Sequence, residues 1–162
     1  MIMSDVKTGI INSTITSFDE TLQRKGYLIY TNVGTSMLPL IRQRRDVIEI
    51  HPLSGRAKKY DVVLYKRGDK YILHRILKVR SNDYVICGDH NIWREYGITD
   101  DQILGVMTRV IRNGKSIYPI NWKYKLYVHL WCDFYPIRAT VLYVNMLFRS
   151  AGRRVKKLFS LK

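Results

Sequence analysis

The stretch Asp61-Val62-Val63-Leu64-Tyr65-Lys66-Arg67-Gly68-Asp69-Lys70-Tyr71-Ile72-Leu73-His74-Arg75-Ile76 decides the fold. Two runs rich in Val, Ile, Leu and Tyr flank Arg67-Gly68-Asp69, and a glycine-centred turn between such runs reads as an antiparallel hairpin. The same pattern recurs outward in both directions. Segments 27–33, 46–50, 61–65, 71–79, 84–87 and 103–111 are β-like, punctuated by Ser54-Gly55, Ser81-Asn82-Asp83 and Asn113-Gly114. Short strands at this spacing predict a mainly β, coiled antiparallel domain over 27–120.

The flanks follow a helical period instead. Between residues 4 and 25, Val6, Ile10, Ile11, Ile15, Phe18 and Leu22 fall mostly three or four apart, and Gly26 is a stop signal. Residues 1–26 therefore predict an amphipathic N-terminal helix. In 121–162, Tyr124, Tyr127, Trp131 and Phe134 share a helical spacing, as do Ile137, Val141, Val144 and Phe148. Pro136 between them separates two helices or kinks one.

Charge is the other unusual feature: 28 Lys+Arg against 13 Asp+Glu, a net +15. Residues 1–26 are neutral overall, 27–120 carry +7, and 121–162 carry +8, with six cations and no acid from 149 onward. Such a tail fits an anionic membrane or an anionic polymer. No stacked-aromatic RNA-binding motif or zinc pattern supports nucleic acid. Trp122, Tyr124, Tyr127, Trp131, Phe134 and Tyr135 form a dense aromatic cluster beside Lys123 and Lys125. Aromatics and cations together predict an interfacial helix on an anionic bilayer, and truncation after Ile120 is expected to release the protein into solution while sparing the function of the β-domain. No window reaches about 18 uninterrupted apolar residues, so no clear spanning helix or cleavable signal is expected. His129, Asp133 and Arg138 would be costly at a bilayer centre. Cys87 and Cys132 are too few for a disulfide framework and read as reduced structural residues, which suits the cytoplasmic side. No metal or cofactor is called for.

The chemistry concentrates at Val33-Gly34-Thr35-Ser36-Met37-Leu38-Pro39. Glycine permits close backbone approach, Pro39 stiffens the exit, and a serine at such a turn can offer its own N–H to an oxyanion. Gly34-Thr35-Ser36-Met37-Leu38-Pro39 resembles the Gly-x-Ser-Met-x-Pro box of the signal peptidase I family. Three further boxes follow in order: Lys59-Tyr60-Asp61-Val62-Val63 with Tyr71-Ile72-Leu73-His74-Arg75, then Gly88-Asp89-His90-Asn91, then Gln102-Ile103-Leu104-Gly105-Val106. The likeness spans residues 30–112. His74 before Arg75, where most bacterial members have Lys, resembles the Ser/His branch of the endoplasmic reticulum and archaea.

The resemblance implies a serine endopeptidase with Ser36 as nucleophile and His74 as general base. It further implies Thr35 and Met37 on the oxyanion and substrate side, and cleavage of a signal or leader segment after a small residue in a precursor peptide. Imidazole suits the role, since it changes charge near physiological pH, whereas a lysine base must first be desolvated. Asp89 is the first candidate to orient the imidazole, Glu95 the second, and Asp100 and Asp101 are outside candidates. Three positions depart from the family pattern. Arg45 precedes Asp46 and Tyr60 precedes Asp61 where the family has glycine, which those turns accommodate if they avoid positive φ. Gly34 replaces a hydroxyl found in many bacterial members. A self-cleaving repressor-type protease is not the expected reading, since His74 holds the lysine position and twenty-six charge-neutral residues do not make a DNA-binding domain. The alternative reading is a degraded peptidase-fold module that binds membrane or nucleic acid through its basic surface.

Overall fold

The computed structural model describes residues 17–134, 136 and 138–144. The predicted helix before Ser17 and the basic run from 149 lie outside the described residues. The fold is mainly β, with helices at both ends of an antiparallel sheet of eight strands.

The hairpin that decided the fold is β3 (Val62–Arg67) and β4 (Lys70–Val79), with Arg67 opposite Lys70 and Gly68 at φ 58° in the two-residue turn. β5 (Tyr84–Cys87) and β6 (Glu95–Ile98) continue outward from β4. On the other side β7 (Ile103–Arg112) pairs with β3 and with β2 (Val47–His51), and β1 (Leu28–Thr31) lies outside β2. β8 (Lys115–Ile117) folds back on β7 through Asn113-Gly114, both left-handed at φ 49° and 76°. β6 and β8 are the two strands the pattern misses; each is short, and β6 carries Glu, Tyr and Gly rather than an apolar run.

Alternation along the strands divides the interior into two clusters. Val62 and Leu64 point into one with Leu22, Met37, Ile41, Ile48, Leu73 and Met107; Val63 and Tyr65 point into the other with Ile76, Tyr84, Ile86 and Ile98. Both faces of β3 and β4 are thus covered, which explains their nearly unbroken apolar reading. At Gly105 β7 passes close to β2: a Cβ there would fall 2.5 Å from the His51 carbonyl oxygen.

α1 (Phe18–Lys25) is an eight-residue helix with a complete capping box from Ser17 and Glu20, and Gly26 closes it at φ 72°. Ser17 is extended and caps this helix, a Ser-x-x-Glu signal that the apolar spacing obscures. α2 (Trp122–Cys132) starts at Asn121, whose side chain accepts from the Lys123 amide, and ends before Asp133. Residues 136 and 138–144 are helical, and α2 ends before the turn at 133–134, so two helical stretches flank a break beside Pro136. Tyr124 and Val128 of α2 join the first cluster, so this helix packs on the domain.

Tyr60 corrects another expectation. Arg45 avoids positive φ, but Tyr60 adopts 76°, a region normally left to glycine. Its surroundings hold it there. Its N–H donates to Ile76, its carbonyl accepts from Arg75, and its hydroxyl donates to Asp133 at 2.5 Å, beyond the end of α2. The side chain that glycine lacks is an anchor for α2.

Candidate active site

Ser36 sits on a turn beyond β1 that is closed by two backbone bonds, Leu38 N–H to Thr35 at 3.2 Å and Ile41 N–H to Met37 at 2.8 Å. Ser36 is half-buried and Thr35 exposed, while Met37 is fully buried in the first cluster. Met37 therefore pins the turn from beneath. Its expected place on the substrate side is corrected, because a wholly buried side chain cannot touch a peptide.

His74 lies mid-way along β4, buried, on the face that carries Ile76. Tyr65 shares that face on β3, diagonally across from it, and Glu95 is brought round by β6 pairing with β5. His74 Nδ1 lies 2.8 Å from Glu95 Oε1 and 3.2 Å from the Tyr65 hydroxyl. Arg67 donates to the other Glu95 oxygen at 2.9 Å. Burial alone would push the Glu95 carboxyl up, but the hydrogen bonds and charge of His74, with Tyr65 and Arg67, outweigh it and hold the group below its ordinary range. The stability this contributes is present above the unfolded glutamate pKa and is lost as pH falls through the depressed one. Burial, reinforced by Glu95, pushes the Tyr65 phenol far up, so it remains a donor.

Gly88 lies between the Ser36 turn and the His74 ring. A Cβ built there would fall 2.6 Å from the Ser36 carbonyl oxygen, 2.9 Å from Asn91 Nδ2 and 3.0 Å from His74 Cδ2. The serine turn and the imidazole thus approach each other across a position too crowded for a side chain. Cδ2 is bonded to Nε2 and lies across the ring from Nδ1, so the ring edge at this meeting point belongs to the nitrogen that Glu95 leaves unengaged. Two residues on, His90 N–H donates to the Ser36 carbonyl at 2.7 Å, tying the loop after β5 to the serine turn. Gly88→Ala is expected to shift the Ser36 turn, because the crowded atom is its backbone carbonyl oxygen, and so to lower by about 100-fold any kcat/KM for a cleavable peptide that depends on Ser36. Steady-state kinetics beside a thermal melt checks it; unchanged kinetics would mean that the close approach is unimportant.

Asp89 does not orient the imidazole. Its carboxylate takes a bidentate pair from Arg75, Nε to Oδ1 at 2.8 Å and Nη2 to Oδ2 at 2.7 Å, with both side chains at 0 % exposure. Burial would lower the Arg75 pKa, but the Asp89 charge outweighs it and keeps the guanidinium protonated. Asp100 is engaged by Arg56 and the Tyr84 hydroxyl.

No protein-family model and no curated protein matches this chain. The site stands on its geometry. Among the described residues no cluster of three or more His, Cys, Asp and Glu is placed to hold a metal ion.

The C-terminal segment supports the site from behind. Tyr127 donates to Asp89 Oδ2 at 3.0 Å, Trp131 Nε1 to the Asp89 carbonyl at 2.7 Å, and Arg75 donates to the Tyr124 hydroxyl at 3.0 Å. Arg138 is buried and donates to Gly88 O at 2.6 Å, to Cys87 Sγ at 3.1 Å and to the Asn91 carbonyl. Sequence reasoning missed Tyr65, Arg67 and Arg138. Arg138 did carry a signal, being the single charge in the apolar run from 134 to 148.

Proposed function

We propose that this protein is a serine endopeptidase in which Ser36, His74 and Glu95 act as a triad on an extended precursor peptide. The observation that carries the reading is the imidazole held at Nδ1 by Glu95 while its opposite edge meets the Ser36 turn across Gly88. With Nδ1–H donated to the carboxylate, Nε2 is the basic nitrogen, the tautomer a serine nucleophile requires. Ser36 Oγ attacks the scissile carbonyl as its proton passes to His74. The Ser36 amide, with the Thr35 hydroxyl beside it, receives the oxyanion. His74 then hands the proton to the leaving amine, and a water activated by the same base releases the acyl group. Glu95 stabilises the imidazolium formed in each half. The substrate class, a signal or leader segment cut after a small residue, rests on the likeness of the four boxes to signal peptidase I.

The test of the nucleophile is covalent: a fluorophosphonate probe should add to Ser36 in the intact protein, located by mass spectrometry of the peptide 34–42. Labelling elsewhere, or none, would remove the proposal. The two acids give a second test. Glu95→Gln is expected to cut kcat about 10³- to 10⁴-fold with little change in melting temperature, because the amide favours the wrong tautomer. Asp89→Ala should instead cost about 3–5 kcal/mol of stability by stranding the Arg75 charge in the interior. Equal mild effects on activity would reduce the triad to a Ser/His dyad.

The reading includes peripheral attachment to a membrane through residues 121–162, on the cytoplasmic side. Among the described residues no helix is long and apolar enough to cross a bilayer. The net charge of +8 in this segment supports attachment at an anionic surface.

A further inference from the structure

α2 is apolar on two opposite faces, and only one of them is covered. Tyr124, Tyr127, Val128 and Trp131 follow i, i+3, i+4, i+7 and turn toward the domain, Tyr124 at 7 % and Val128 at 2 % exposure. On the other side Trp122, Leu126 and Leu130 repeat every fourth residue at 67 %, 51 % and 53 % exposure. Phe134 beyond the helix end continues the row, and Ile120 before it is 80 % exposed. At about 100° per residue Lys123 and Lys125 flank this stripe on its two sides. Asp133, the single acid of the segment, is engaged by Tyr60, His129 and Lys59.

We infer that the Trp122–Leu126–Leu130 face is a docking surface for an anionic lipid interface, with the aromatic cluster of this segment divided between bilayer and domain. The arrangement suits lipid: an apolar ridge shallow enough for the headgroup boundary, a tryptophan at its end, lysines along both margins, and six cations with no acid in the chain from 149 onward. A second copy of this chain would set these cations against one another, whereas anionic headgroups neutralise them. Because the opposite face is bonded to Asp89 and Arg75, docking fixes the domain relative to the surface and holds the candidate site beside it. This rests on the membrane reading above and on none of the catalytic steps.

The experiment is co-sedimentation of the full chain with phosphatidylcholine vesicles containing phosphatidylglycerol, compared with phosphatidylcholine alone. Wild type and Ser36→Ala should bind the anionic vesicles alike, so failure of the peptidase reading would leave this result standing. The double variant Leu126→Ser, Leu130→Ser should lower partitioning about 100-fold at unchanged melting temperature. Lys123→Gln with Lys125→Gln should weaken binding less, and raised salt should largely erase that difference. Wild-type quenching by brominated lipid that Trp122→Phe diminishes would place the stripe in the bilayer. Binding retained in full by the 126/130 variant would overturn the face assignment while leaving membrane attachment intact. A full chain that stays in the supernatant at every composition, or elutes as a dimer that the 126/130 variant converts to monomer, would overturn the lipid assignment.

Discussion

Ser36→Ala is expected to lower kcat/KM for a peptide carrying Ala-x-Ala before the scissile bond by about 10⁴-fold or more, with the melting temperature unchanged. The size follows from what the hydroxyl does in the proposed mechanism: without it no acyl-enzyme forms, and only substrate binding and oxyanion donors remain to help water attack. The unchanged melt follows from how the turn is built. Backbone bonds at Thr35, Met37 and the Ser36 carbonyl hold it, and the buried Met37 side chain anchors it, so the fold does not depend on the hydroxyl. A variant with near wild-type turnover and an intact melt would remove Ser36 as nucleophile. One that also unfolds would be replaced by Ser36→Thr, which keeps the hydroxyl but crowds the turn, and the pair would separate chemistry from structure.

The strands were legible because period-two alternation and turn residues are local signals. The six strands expected between Tyr27 and Arg112 all form, and Asn113-Gly114 makes the turn its sequence predicts. Box order put Ser36, His74 and Gly88 into one likeness, but that Gly88 lies where the Ser36 turn and the His74 ring crowd emerges only from the fold. Choosing between Asp89 and Glu95 was beyond local reading. Asp89 lies two residues from the last residue of β5, Cys87, yet its carboxylate turns toward Arg75, a neighbour-strand residue on the opposite face from His74. Glu95 reads as a solvated carboxylate until β6 pairs with β5 and carries it to the imidazole. Tyr60 shows the same limit. Its positive φ is held partly by Asp133, the residue after α2 and some seventy positions later, a contact that no window of sequence contains.

Truncation after Ile120 is expected to destroy both cooperative folding and activity, the reverse of what the tail's composition suggests. Removing α2 exposes the part of the first cluster that Tyr124 and Val128 cover, and burial of each such side chain contributes about 1.5–3 kcal/mol. It also strips Tyr124 and Tyr127 from the Arg75–Asp89 pair, where each hydrogen bond to a charged group contributes about 1.5–3 kcal/mol, and Trp131 from the Asp89 carbonyl, a neutral bond of about 0.5–1.5 kcal/mol. Water then reaches a pair otherwise at 0 % exposure. Together these losses are of the same order as the whole stability of a small domain, about 5–15 kcal/mol. Arg138 goes too, and with it the clamp on Gly88 and Asn91 that backs the loop bonded to Ser36. The measurement is a thermal melt of residues 1–120 against the full chain, with amide hydrogen exchange across 86–91. A cooperative melt near the full-length value, with undiminished peptide cleavage, would return the segment to the status of a removable anchor. Arg138→Met in the full chain separates the two contributions: it keeps α2 on the core but frees the loop, so exchange at 88–91 should rise and kcat fall while most of the melt is retained.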